Sequence, residues 1–118
     1  MIALLLLAAL QVGTGTVFSR IDAANPDPRL ACSGRVIDDR SFVVAHNILP
    51  CHSRVWLYNP RTGRSTVATV MDRGPLHAKV DMSPATARAL RHNGKERVVI
   101  VPLPTVEKRT RHRLERVS

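Results

Sequence analysis

Residues 54–71 read RVWLYNPRTGRSTVATVM, two β-type runs around one turn. Arg54 to Tyr58 alternates in character. Ser65 to Met71 is rich in β-branched residues, which suit a pleated, half-buried surface. Between them, Asn59-Pro60-Arg61-Thr62-Gly63 carries hairpin chemistry, with Gly63 available for a left-handed position. Outside this hairpin the same signals recur in short pieces. Phe42 to Ala45 is a short apolar run ending at His46, and Lys79 to Met82 is a possible short strand. Arg97 to Val101 (RVVIV) is a β-branched run that reads as buried on both faces. One helix, at about 84–91, is signposted by Ser83 as N-cap and Pro84 as its first residue, with Asn93-Gly94 to end it. Five or six short strands and one inserted helix predict a mainly-β small barrel.

The chain has 118 residues, enough for one domain. Only 3% are aromatic although 44% are hydrophobic, so the core must come from Val, Leu, Ile and Ala. A multi-domain enzyme, a large cofactor domain and a long coiled coil are excluded. A domain this small is marginal unless something staples it. Eighteen Lys and Arg against nine Asp and Glu give a net charge of +9, which favours polyanions: nucleic acid, acidic lipid or an anionic envelope polymer.

Ile2 to Leu10 is an unbroken apolar run of nine, the length of a signal-peptide h-region. Residues 1–24 are therefore read as a signal peptide or as an N-terminal anchor. The first reading exports the domain to the periplasm or the exterior; an anchor followed by Arg20 would leave it cytoplasmic. Residues 25–31, with Pro26 and Pro28, read as a linker. The barrel is expected over 32–103, and 104–118 as a basic tail. Cys32 and Cys51 suit a disulfide in an exported domain of this size. Two free thiols are the alternative. A zinc site from Cys32, His46, Cys51 and His52 lacks the paired-ligand spacing of structural zinc sites. No metal or organic cofactor is implied.

Three segments, in order, resemble the rare-lipoprotein-A-like double-psi β-barrel family. Ala45-His46-Asn47-Ile48-Leu49-Pro50 is similar to its AHKTLP segment, and Asn59 to Ser65 to its N-x-x-x-G-R/K-S hairpin. Asp72-Arg73-Gly74-Pro75 and Val80-Asp81-Met82-Ser83 are similar to its DRGP and IDLS. Leu30 to Gly34 and Leu49 to Ser53 resemble the LACGG and LPCGT segments of its Cys-containing branch, which supports the pairing of Cys32 with Cys51. The family's W-Y-G opening is absent, and His52-Ser53 replaces Gly-Thr. The resemblance implies a six-stranded double-psi barrel over about residues 32–103. It also implies an exported lytic transglycosylase that cleaves MurNAc–GlcNAc glycan strands to a 1,6-anhydro product.

On that resemblance Asp72 is the general acid and base, and His46 a neutral partner that orients it. Ordinary glycosidases place two carboxyl groups around the scissile bond. A transglycosylase can use one, which protonates the leaving oxygen and then accepts the proton of the sugar's C6 hydroxyl. A chain so poor in acids suits the one-acid scheme. Arg73 is read as a ligand for a substrate carboxylate or acetamido oxygen, or as a surface turn residue. Trp56 and Tyr58 are read as sugar-stacking residues, with the core as the alternative for Trp56. Asp81 is read as structural, ahead of the helix. The expected partner is the peptidoglycan glycan strand, with other anionic envelope polymers on the basic surface, and the expected state a monomer. A catalytically silent barrel that binds the same polymers is the second reading. Specific nucleic-acid binding is not expected, since basic residues are scattered without interleaved aromatics.

Overall fold

The hairpin read from residues 54–71 is the longest pairing of the fold. In the computed structural model, which describes residues 10–18, 29–75 and 78–104, β3 (Arg54–Asn59) and β4 (Arg64–Asp72) pair antiparallel from Asn59↔Arg64 to Arg54↔Thr69. With β1 (Gln11–Val17), β2 (Val43–Ala45), β5 (Val80–Met82) and β6 (Arg97–Pro102) they close a barrel in the order β1-β5-β2-β4-β3-β6. The β1/β5 and β2/β4 pairs are parallel and flank an antiparallel β2/β5 pair. Helix α1 (Pro84–Leu90) follows β5.

Alternation along each strand fills the barrel. Val55, Leu57, Val70, Val80, Met82, Val98 and Ile100 are fully buried, with Leu90 of α1. No aromatic ring joins this cluster, as the composition required. The RVVIV run alternates as well: Val98 and Ile100 point inward, while Val99 and Val101 stay half-buried on the outside, so it is not buried on both faces. A second cluster of Phe18, Leu30, Ile37, Val43 and Ala45, with Met71 against it, lies outside β2. It is roofed by residues 29–37, a turn closed by the Arg29↔Val36 bridge. Arg29 to Ala31 thus belong to the fold rather than to a linker.

The main departure from the sequence reading is β1, which occupies 11–17, inside the stretch read as leader or anchor. It pairs with β5 on one side and β6 on the other, so the barrel begins well before residue 32. Its inward positions are Gln11, Gly13 and Gly15, which leaves no apolar alternation to read. The glycines are required by closeness: a Cβ on Gly13 would lie 2.5 Å from Lys79 Cβ, and one on Gly15 2.8 Å from Met82 Cε.

Helix α1 starts as read, with Ser83 Oγ accepting from Thr86 N–H and Pro84 in the first turn. It stops one turn before Asn93-Gly94, with Arg91 left-handed at φ 49°. The hairpin captures its last carbonyls. Asn59 Nδ2 and Thr62 Oγ1 donate to Leu90 O at 3.0 and 2.8 Å, and Arg61 Nη2 donates to Arg91 O at 2.7 Å. Arg61 also pairs with Glu96, whose carboxyl accepts from Asn59 Nδ2 at 2.8 Å. The Arg61 contact, ahead of that from Asn59, holds the Glu96 carboxyl at about 2 against an ordinary 4.5.

Two outcomes follow. A chain starting at residue 25 lacks β1 and is expected to lose its cooperative thermal transition in circular dichroism, while Gly13→Val should cost about 1–3 kcal/mol in urea unfolding. A carboxyl depressed in the folded state stabilises above its unfolded value and loses that contribution as pH falls toward the folded one. Unfolding midpoints should therefore drop between pH 4.5 and about 2, and Glu96→Gln should flatten that slope.

Candidate functional site

The end of β4 gathers three separate segments. Val70 O accepts from His52 N–H at 2.7 Å, Met71 O from Cys32 N–H at 2.9 Å, and Asp72 O from His46 N–H at 3.1 Å. The β2/β4 register jumps here, from Val44↔Val70 to Ala45↔Asp72. Such a bulge breaks the alternation and re-aims a side chain. Met71 packs into the outer cluster, and Asp72, next to it, reaches the roofing segment on the same side.

Asp72 is half-buried, and its two oxygens are treated differently. Oδ1 accepts from Ala31 N–H and from Arg73 N–H, both at 2.9 Å. Oδ2 accepts nothing from the described residues. The Cys32–Cys51 disulfide, Cα atoms 5.6 Å apart, ties the roofing segment to the loop after His46. It lies one residue from the Ala31 N–H that anchors the carboxylate. Closing a loop of about 20 residues is worth about 3 kcal/mol in the chain-entropy model. With both cysteines in this bond, the zinc reading falls. Among the described residues no three His, Cys, Asp or Glu side chains come together as a metal site.

Arg73 is exposed, and its guanidinium is engaged by the protein's own backbone. Its Nη1 donates to His46 O at 2.9 Å and to Leu49 O at 2.6 Å, and its Nη2 to Cys51 Sγ at 3.4 Å. The guanidinium is a brace across the 46–51 loop, and a substrate carboxylate would have to compete with two carbonyls for it. Asn47 Nδ2 donates to Pro75 O at 2.8 Å and closes the loop from the other side.

His46 is buried, and both its ring nitrogens are engaged. Nδ1 accepts from Ile48 N–H and Leu49 N–H, both at 3.1 Å, so the ring proton sits on Nε2, 2.9 Å from Gln11 Oε1. Burial first, then the charges of Lys79 and Arg73, lower its pKa from 6.5. The side chain touches the backbone of its own loop and β1, and meets Asp72 only through the main chain. Gln11, in the stretch read as leader, and the Ala31 N–H carried no sequence signal.

The other candidates lie elsewhere. Asp81 is across β2 from Asp72, Ala45 being the register partner of both, and accepts from Thr16 Oγ1 at 2.8 Å. It ties β5 to β1 and does not cap α1. Trp56 and Tyr58 face outward on β3, opposite Val67 and Ser65. Those partners are five and seven residues before Asp72 along β4, or about 16 and 23 Å at about 3.3 Å per residue. The structure does not bring them into one groove with Asp72. The tail from residue 105 lies outside the described residues.

No protein-family model matches the chain. It is 38% identical over 64 residues to the endolytic peptidoglycan transglycosylase RlpA of Neisseria meningitidis, a match covering 52% of this chain and 27% of that protein. The chain thus spans about a quarter of that relative's length. An uncharacterised protein of Synechocystis is 35% identical over 72 residues, covering 61% of this chain and 78% of the relative. Among solved structures, the Streptomyces papain inhibitor matches with a TM-score of 0.58 at 20% identity, over 80% of this chain and 94% of the inhibitor. That likeness concerns the fold alone, a double-psi β-barrel. Closed by six strands and matching RlpA proteins along its sequence, the chain belongs to the RlpA-like double-psi β-barrel family.

Proposed function

We propose that this chain is an exported, peptidoglycan-active lytic transglycosylase in which Asp72 is both acid and base. The observation that carries the reading is the asymmetric hold on its carboxyl. Oδ1 is fixed by two backbone N–H groups, while Oδ2 has no partner among the described residues. In the proposed reaction the protonated carboxyl gives its proton to the O4 leaving oxygen as the MurNAc C1–O bond breaks. The same carboxylate then takes the proton of the MurNAc C6 hydroxyl as O6 bonds to C1, which regenerates the acid without consuming water. Among the described residues Glu96 is committed to Arg61, Asp81 to Thr16, and Asp38 to its own turn. A one-carboxyl scheme suits this better than two acids flanking a bond.

His46 serves as a positioning residue. Neutral and held between the 48–49 amides and Gln11, it fixes the loop whose carbonyls hold Arg73. The disulfide supports an oxidising, exported setting. Among the described residues no helix is long and apolar enough to cross a membrane. The commitment of Arg73 to internal carbonyls favours the second reading, a barrel that binds the glycan without cutting it.

Mass spectrometry of products from purified peptidoglycan separates the two. Wild type should release 1,6-anhydro muropeptides, and Asp72→Asn should reduce them by about a hundredfold or more. Reducing-end products would contradict the anhydro chemistry, and intact strands bound to folded protein would establish the binding reading. His46 gives a separate test. A histidine whose pKa is lowered on folding costs stability once pH drops below its unfolded value of 6.5, so stability should rise with pH up to 6.5 and then level off. Ring nitrogen NMR should report the Nε2–H tautomer at neutral pH.

A further inference from the structure

We propose that the outer face of β3 and β6 is a second glycan-binding surface, separate from the Asp72 site, on which a carboxyl-bearing pyranose chain rests against Trp56 and Tyr58. The inference takes its ligand class from the function proposed above and its location from the fold.

The chain has one Trp, one Tyr and two Phe, and on this outer face the Trp and the Tyr stack on one another. Their ring centroids are 5.6 Å apart and their planes within 6° of parallel. By register, Val67 and Val101 flank Trp56, and Ser65 and Val99 flank Tyr58. Val12 of β1 comes next to Val99 and is 52% exposed, and Val67 is 39% exposed. The face is therefore broad, apolar and open at its margins. In a closed barrel it has no strand edge to offer, so a partner must bind by side-chain contact.

Pyranose rings suit such a surface. They present C–H faces to aromatic rings and hydroxyls around their edge, where Ser65 and Thr69 stand on β4. Charge selects among glycans. Arg54 precedes Trp56 on the same outer row of β3, and Arg97 lies at the far end of β6. Both are exposed, and neither side chain bonds to the described residues. Carboxyl groups on the sugars complement them. A single-stranded nucleic acid would want a continuous cationic track beside the rings; here the positions next to the rings are valine and serine. Asp72 ends β4, the strand next to β3, but lies about 16 and 23 Å along it from the partners of Trp56 and Tyr58, so one long strand would meet this face and the Asp72 site at different points.

Trp56 is the only tryptophan, so its emission reports directly on this face. The full chain is titrated with peptidoglycan glycan strands freed of stem peptides, as wild type and as Asp72→Asn, with sedimentation of bound strands in parallel. The expected result is a saturable change in Trp56 emission with the same midpoint in both proteins. Tyr58→Ala should weaken it by about tenfold, leaving anhydro products from short oligosaccharides unchanged. Tyr58→Phe, which keeps the ring, should bind as wild type. Silent emission while strands sediment with the protein would overturn the proposal. So would a response to a single-stranded oligonucleotide and none to glycan, which would assign the face to nucleic acid. Asp72-dependent anhydro products with silent Trp56 would overturn this surface alone; a Trp56 response without products would overturn the catalytic reading alone.

Discussion

Three consecutive carbonyls at the end of β4 organise this molecule. Val70, Met71 and Asp72 each receive an amide from a different part of the chain: His52, Cys32 and His46. Buried backbone groups must find partners, and an ordinary ladder would have supplied them from one neighbouring strand. Here the bulge between β2 and β4 ends that ladder, and the roofing turn and the 46–52 loop supply the partners instead. The site is therefore made where regular pairing stops: Asp72 is at that break, and His46 and Arg73 are each one residue beyond it.

This arrangement explains why a small, cationic domain can hold a carboxylate in one orientation. The roofing segment brings only Leu30 and Ile37 to the outer cluster, too little apolar surface to keep it in place alone. The disulfide and the Cys32–Met71 bond fix it, and Ala31 N–H then fixes Asp72 Oδ1. On the opposite side Arg73 ties together the carbonyls of His46 and Leu49, so the most prominent cation near Asp72 acts on backbone. His46, neutral and doubly engaged, adds no charge to the pocket.

Much of the barrel was legible because its signals were local. The hairpin turn, the Ser83-Pro84 helix start and the alternation in β3 each need only a few neighbouring residues. β1 was not legible, because its inward side is Gln and Gly: the space it fills is defined by Lys79 and Met82, far away in sequence. The helix ends close to the expected residue 91, although the hairpin side chains that hold its last carbonyl, Asn59 and Thr62, carry no local signal of that role. The segments around Asp72 and His46 single these residues out as candidates, but the partners that hold each, Ala31 N–H and Gln11, come from across the fold. Alternation placed Trp56 and Tyr58 on one face and said nothing of which end of the barrel they occupied. His52 stands at φ 70°, where glycine is favoured, and the family pattern has Gly there; that departure was visible in sequence, though its backbone conformation was not.

The central claim is that the disulfide-held roof presents Asp72 with one oxygen fixed and one open. Amide hydrogen exchange at Ala31 and Arg73 tests it most directly. In the oxidised protein both amides should be protected. Reduction of Cys32–Cys51 should release Ala31 while the amides of Val98 and Ile100 stay slow, and Asp72→Asn should speed both Ala31 and Arg73. Free exchange at Ala31 in the oxidised, folded protein would contradict the account.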